Sequence, residues 1–273
     1  MTYNPSRRQG TALASAGAGI LLTILLLIPP HLEAQTKMTI GPSPDKSVTV
    51  TALGKNTPFE KAFNAETDSS RDMHAIVTNN SDRAIVAAIV QWHYTDAKGI
   101  TRGVLVASDS WQRPHSGPND KAEVVPAHSR ALFGPTATIL EAHIGASGLT
   151  GAAIMPIRFT PFEGFTNPDF AIDLLVFSDG EMVGPDTKHY STDIPARYSA
   201  GQRVVAAWKL GGGDAVRALL DNRPTTREEA QEWNWLRRYA DDLTRSKNLV
   251  DASAAVDYIA NSPKPIALFR RAD

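Results

Sequence analysis

The sequence predicts a mainly β chain with a helical C-terminal part: an antiparallel β-sandwich followed by packed α-helices. Three observations predict it. Between residues 47 and 193, short apolar stretches alternate with Asn, Asp, Gly and Pro turn signals. After Ile194-Pro195 the apolar residues take up helical spacing. No repeat at a fixed period is visible, which sets aside solenoid and propeller architectures.

The elements follow in order. Ser47 to Leu53 alternates Val48, Val50 and Ala52 with Thr49 and Thr51, a half-buried strand pattern. Asp72 to Thr78 carries Ala75, Ile76 and Val77, and Asn79-Asn80-Ser81-Asp82 supplies the turn after it. Arg83 to Tyr94 is apolar on both faces at first: Ile85, Ala87 and Ile89 on one, Val86, Ala88, Val90, Trp92 and Tyr94 on the other. That marks a strand covered on both sides. Asp96-Ala97-Lys98-Gly99 turns the chain into Ile100 to Ala107. Ser110 to Lys121 reads as a long polar loop, and Glu123 to Phe133 as apolar segments around a Pro-Ala-His-Ser break. Gly151 to Phe162 is a further strand candidate. Ala171 to Phe177 is the clearest strand, and Asp179-Gly180 turns it into Glu181-Met182-Val183.

In the C-terminal part, Arg203 to Leu210 reads as a helix ending at Gly211-Gly212-Gly213, with Asp214 capping a short one after it. Thr226-Arg227-Glu228-Glu229 is a capping box that opens a helix to about Ser246. Trp233, Leu236, Ala240 and Leu243 are expected on its buried face, with Trp235 nearer solvent beside Arg238 and Tyr239. Asp251 caps a last helix to Ala260, which Pro263 and Pro265 stop. Trp92 fits a buried anchor on a central strand, so the sandwich is immunoglobulin-like in architecture, without the disulfide of antibody domains.

The first 34 residues read as a leader. Arg7 and Arg8 precede an apolar run from Ala12 to Ile28, Pro29-Pro30 break it, and Leu32-Glu33-Ala34 is a cleavage site. The expected organisation is a signal peptide at 1–34, a linker at 35–46, a β-sandwich domain at 47–193 and a helical region at 194–273. If the leader is retained, residues 12–28 anchor the body at the inner membrane with the two arginines on the cytoplasmic side. Either way the body is exported, periplasmic or secreted. Ser6-Arg7-Arg8 also matches part of a twin-arginine signal, but Gln9-Gly10-Thr11 replaces the apolar residue that should follow.

Composition removes several classes. The chain has no cysteine, which excludes disulfides, thiolate metal sites and cysteine nucleophiles. Its formal charge is −1, and losing Arg7, Arg8 and Glu33 with the leader makes it −2. With no basic block, nucleic acid is not an expected partner. The hydrophobic share of 42% supports a core without covalent staples.

Thr78-Asn79-Asn80-Ser81 with Ile85, and Val176 to Asp186 (Val-Phe-Ser-Asp-Gly-Glu-Met-Val-Gly-Pro-Asp), resemble stretches in uncharacterised exported bacterial proteins with an immunoglobulin-like β-sandwich. The resemblance covers about a tenth of the chain. It implies the sandwich and carries no assigned chemistry.

The candidate site is acidic. A hairpin tip can gather Asp179, Glu181 and Asp186, and loop carboxylates suit a hard cation such as calcium. The plainer role for the same residues is local: Asp179 satisfying the turn, Glu181 facing water and Asp186 capping or orienting the following loop. His74 and His93 are possible neighbours across a sheet, the start of a zinc site that lacks further ligands. Ser43-Pro44-Asp45-Lys46 spells Ser-x-x-Lys without the helix start or partner motifs that chemistry needs. No nucleophile elbow, phosphate loop or His-Glu-x-x-His is present. The expected function is therefore that of an exported non-catalytic protein in binding, assembly or envelope structure, with an unidentified protein or envelope component as partner and no cofactor. The alternatives are an exported hydrolase with a site between sandwich and helices, drawing on Asp173, Asp179, Glu181 and His189, and a calcium-stabilised module at the Asp179 hairpin.

Overall fold

A computed structural model describes residues 38–54, 57–59, 73–96, 98–111, 123–135, 138–140, 144–145, 148–149, 166–245 and 249–270. All lie in one compact unit, Thr36–Asp273. The leader, most of the Ser110–Lys121 segment and the strand candidate Gly151–Phe162 lie outside the described residues.

The chain is mainly β with three C-terminal helices. One sheet has the order β1 (Thr39–Ile40), β10 (Thr166–Phe177), β4 (Ile85–Thr95), β5 (Thr101–Asp109), with β11 (Met182–Val183) pairing β10. The other runs β2 (Val48–Ala52), β3 (Ala75–Asn79), β6 (Ser129–Phe133), β7 (Thr138–Leu140). β8 (Ile144–Gly145) and β9 (Gly148–Leu149) form a separate hairpin. Among the described strands, one pair departs from the antiparallel expectation, and a lone parallel bridge joins Glu181 to Phe269. β1 runs parallel to β10, with Thr39 opposite Asp169 and Ile40 opposite Phe170. The segment expected as linker thus supplies a strand, because Met38 is buried and Ile40 packs on the core between the sheets. Gly41 then ties down the end of β1, its N–H donating to Phe170 O at 2.8 Å.

Period-two alternation explains the layers. Ala88, Val90, Trp92 and Tyr94 of β4 meet Val48, Ala75, Val77, Ala131 and Phe133 of the second sheet in one core. Trp92 is fully buried, its Nε1 donating to Met73 O at 2.8 Å and its ring edge-on to Phe170 at 5.1 Å. The opposite face of β4, Ala87 and Ile89, packs with Leu174, Val176, Trp111, Tyr190 and Ile194. The strand is apolar on both faces because a sheet covers one and a helix the other. Asn79, wholly buried, holds the adjoining turn: Nδ2 donates to Arg83 O at 2.7 Å and to Pro126 O at 3.1 Å, while Oδ1 accepts from Ser81.

α1 (Tyr190–Ala218) starts well before the expected Arg203. Asp186 accepts from the Tyr190 and Ser191 N–H groups, which satisfies donors at the helix start. Pro195 is accommodated inside the helix, and the backbone leaves helical geometry at Gly211 and Gly212, so two helical stretches meet at a kink where the glycine run was expected to end one. Gly212 sits at φ +61°, ψ −147°, a conformation open to glycine and costly to other residues. α2 (Arg227–Arg245) opens with the expected capping box: Thr226 Oγ1 accepts from the Glu229 N–H at 3.2 Å and Glu229 Oε2 accepts from the Thr226 N–H at 3.2 Å. α3 (Leu249–Ala260) follows. The three helices share their own core of Val204, Leu236, Ala240, Leu243, Val256 and Ile259. Among the described residues, no helix is long and apolar enough to cross a membrane.

After α3 the chain returns to the sheets as a strap. Phe269 donates to Gly180 O at 3.0 Å and accepts from the Met182 N–H at 2.8 Å. Gly180, at φ +94°, lets the strap approach: a Cβ there would lie 2.1 Å from Ala267 O.

Candidate functional site

The acidic hairpin forms where expected, but its carboxylates are engaged inside the fold. Phe177 accepts from the Gly180 N–H and donates to Glu181 O, both at 2.9 Å, closing the loop Ser178–Gly180. Arg83, arriving from the turn before β4, bonds Asp179 Oδ2 at 2.8 Å and Glu181 Oε2 with the same Nη1. Its guanidinium also lies 4.1 Å from the centre of the Phe177 ring. Burial alone would raise the Asp179 pKa, but Arg83 and the Glu181 N–H outweigh it and hold the carboxyl below its ordinary value. Glu181 is buried rather than facing water. Asp186 caps α1 and also takes the Ser191 hydroxyl. Asp179 and Glu181 thus share Arg83 while Asp186 serves the head of α1, and no group of three or more His, Asp or Glu that could hold a metal ion occurs among the described residues.

The residues named for a hydrolytic site are likewise dispersed in role. Asp173 is buried at a bulge of β10, and its Oδ1 accepts from the Thr187 N–H at 3.1 Å and hydroxyl at 2.8 Å. His189 is exposed at the head of α1 in a left-handed conformation, its side chain making no capping bond. His74 and His93 are not cross-strand neighbours. His93 is on β4 of the first sheet beside Asp169, 2.9 Å away, whereas His74 is buried just before β3 of the second. Ser43 and Asp45 make a turn, with Asp45 Oδ1 accepting from the Ser47 N–H at 2.8 Å.

A polar centre that the sequence did not reveal lies where β5 meets the helices. Tyr190 Oη donates to Asp109 Oδ2 at 2.6 Å, and Arg197 Nη2 to Asp109 Oδ1 at 2.8 Å. The Trp111 N–H also donates to Asp109 Oδ1, at 3.0 Å. Arg197 and Asp109 expose 7% and 0% of their side chains. Burial and the Asp109 charge both push the Tyr190 hydroxyl pKa up, so it stays protonated and donates. Burial would lower the Arg197 pKa, but Asp109 and Tyr190 reverse this and raise it, leaving a fixed cation. Tyr239, on α2, is pushed up to about 12, first by burial. One signal was available. Once α1 begins at Tyr190, Arg197 falls on the stripe Tyr190, Ile194, Arg197, Val204, where a lone arginine has to be paired.

The centre continues outward into a cleft. Trp235 lies 5.5 Å from the Arg197 guanidinium on α1 and 4.7 Å from that of Arg238 on α2. Its Nε1 donates to Asp193 at 2.7 Å. Trp235, not Trp233, therefore packs on the helical core, with Leu236, Tyr239 and Ala240. Trp233 sits under Arg237, 5.6 Å from its guanidinium. Between the start of α1 and this face of α2 opens a cleft of about 430 Å³, lined by Lys188, Asp193, Gln231, Asn234, Arg237 and Arg238, together with Tyr190 and Trp235.

No family model matches the chain, and neither the curated proteins nor the solved structures yield a match.

Proposed function

We propose that the chain is an exported, non-catalytic protein that acts by binding or assembly in the cell envelope, its body an immunoglobulin-like sandwich backed by helices. One observation carries this reading. The carboxylates that hydrolytic or metal chemistry would use are tied into the fold: Asp179 and Glu181 on Arg83, Asp186 on the head of α1, Asp173 on Thr187. A general acid or base must reach a substrate proton, and groups held this way are poorly placed to do so. Two sheets sharing a core around a buried Trp92 support the sandwich, with β1 as its parallel departure. The leader supports export: Pro29-Pro30 end its apolar run, and Leu32-Glu33-Ala34 supplies the cleavage site.

Two measurements on the full chain test the reading. Mass spectrometry of protein recovered from the periplasm is expected to give an N-terminus at Gln35; protein found in the cytoplasm with Met1 retained overturns export. The purified protein, offered chromogenic esters, phosphates and glycosides, is expected to turn over none. Turnover that disappears in Asp173→Asn or Glu181→Gln at unchanged Tm overturns the non-catalytic reading.

A further inference from the structure

Resting on the binding reading above, we infer that the cleft between the start of α1 and α2 binds a small soluble ligand carrying a phosphate group, of sugar-phosphate size. Lys188, Arg237 and Arg238 line it against one carboxylate, Asp193, which accepts from the Trp235 indole. Among the described residues these three cations have no carboxylate partner, whereas Arg83, Arg102, Arg197, Arg203 and Arg217 are each paired with one. A concave site with unneutralised cations concentrates anions.

The two arginines are also held in place. Arg238 lies over Trp235 and Arg237 over Trp233, and Trp235 is fixed by Asp193 and by the buried Arg197–Asp109 pair. Stacked guanidiniums keep their N–H forks available and lose less freedom on binding, and the fork matches phosphate oxygens in pairs. Gln231 and Asn234 add neutral donors and acceptors suited to hydroxyl groups on the same ligand. A volume of about 430 Å³ lies in the range of small-molecule sites, and the concavity favours a discrete molecule over a lipid surface.

Isothermal titration of the protein with glucose 1-phosphate, inorganic phosphate and glucose tests this. Glucose 1-phosphate is expected to bind more tightly than phosphate, and glucose not to bind. Arg237→Gln/Arg238→Gln is expected to weaken glucose 1-phosphate by about tenfold or more, as for loss of a paired guanidinium–phosphate contact. Arg227→Gln, also exposed on α2, leaves binding and Tm as they are. No binding of either phosphate compound overturns the inference, as does equal binding by the double variant at unchanged Tm. Cosedimentation with phosphatidylglycerol vesicles but no binding of glucose 1-phosphate overturns it in favour of a lipid source. Phosphate release during the titration leaves the site standing and removes the non-catalytic reading instead. Failure to bind removes the site and leaves that reading intact.

Discussion

Removing Arg197 takes the cation away from a carboxylate inside the protein. In Arg197→Met the Asp109 side chain, 0% exposed, loses its 2.8 Å ion pair and keeps the Tyr190 hydroxyl and the Trp111 N–H. Breaking a buried pair from one side costs about 3–5 kcal/mol, and the retained donors place this case near the lower end. Loss of the Arg197–Trp235 contact, at 5.5 Å, adds about 0.5–1 kcal/mol. The expected loss is therefore about 4 kcal/mol, a fall of roughly 10 °C in Tm for a unit of this size. Asp109→Leu is expected to cost a similar amount by stranding the cation. The double variant removes both charges together, so it should cost about 2 kcal/mol less than the two singles combined. Denaturant unfolding followed by circular dichroism and tryptophan fluorescence measures the cycle. Singles that cost under about 1 kcal/mol, or costs that add within about 0.5 kcal/mol, would refute a coupled buried pair joining β5 to α1.

Two further outcomes follow from the same geometry. Bonds from the Thr225 N–H, its hydroxyl and the Thr226 N–H hold the Glu229 pKa below its ordinary value of 4.5. A depressed carboxyl stabilises above its unfolded pKa and loses that contribution as pH falls through the folded one. Amide exchange in the first turn of α2 should therefore quicken as pH drops below about 4.5, relative to the intrinsic rate, and Glu229→Gln should abolish that pH dependence. Separately, Gly180→Ala forces a side chain into positive φ and against Ala267 O, so it should cost more than about 1 kcal/mol and expose the strap after Pro265 to protease. Wild-type protease resistance in that variant would show that the strap does not depend on this approach.

Local chemistry was legible in the sequence, and long-range pairing was not. Alternation locates β2, apolar runs between turn signals locate β3, β4, β5 and most of β10, and the two apolar faces of β4 announce cover on both sides. The Thr226–Glu229 box located the start of α2 because its bonds lie within one turn. β1 was missed because two residues in a Pro-rich segment carry no period; burial of Met38 and parallel pairing with β10 decide it. The start of α1 was placed too late because Pro195 read as a boundary, whereas Asp186 caps the helix earlier and the proline is tolerated. Trp235, expected nearer solvent, is half-buried like Trp233, because its indole packs on the helical core and finds Asp193. Asp109 and Arg197 lie 88 positions apart, a pairing that only the assembled layers bring about. The acidic hairpin was found from its turn, yet its neutralising cation, Arg83, sits 96 positions before Asp179.

The Asp179 hairpin is neutralised by Arg83, and Asp186 holds the head of α1, so these carboxylates are expected to serve the fold and not a bound cation. The most direct measurement is the Tm of the full protein in millimolar calcium and in chelator. The account predicts the same Tm in both. A site saturated a hundredfold above its Kd would contribute about 2.7 kcal/mol, so a rise of roughly 5 °C or more in calcium that is lost in Glu181→Gln would contradict it.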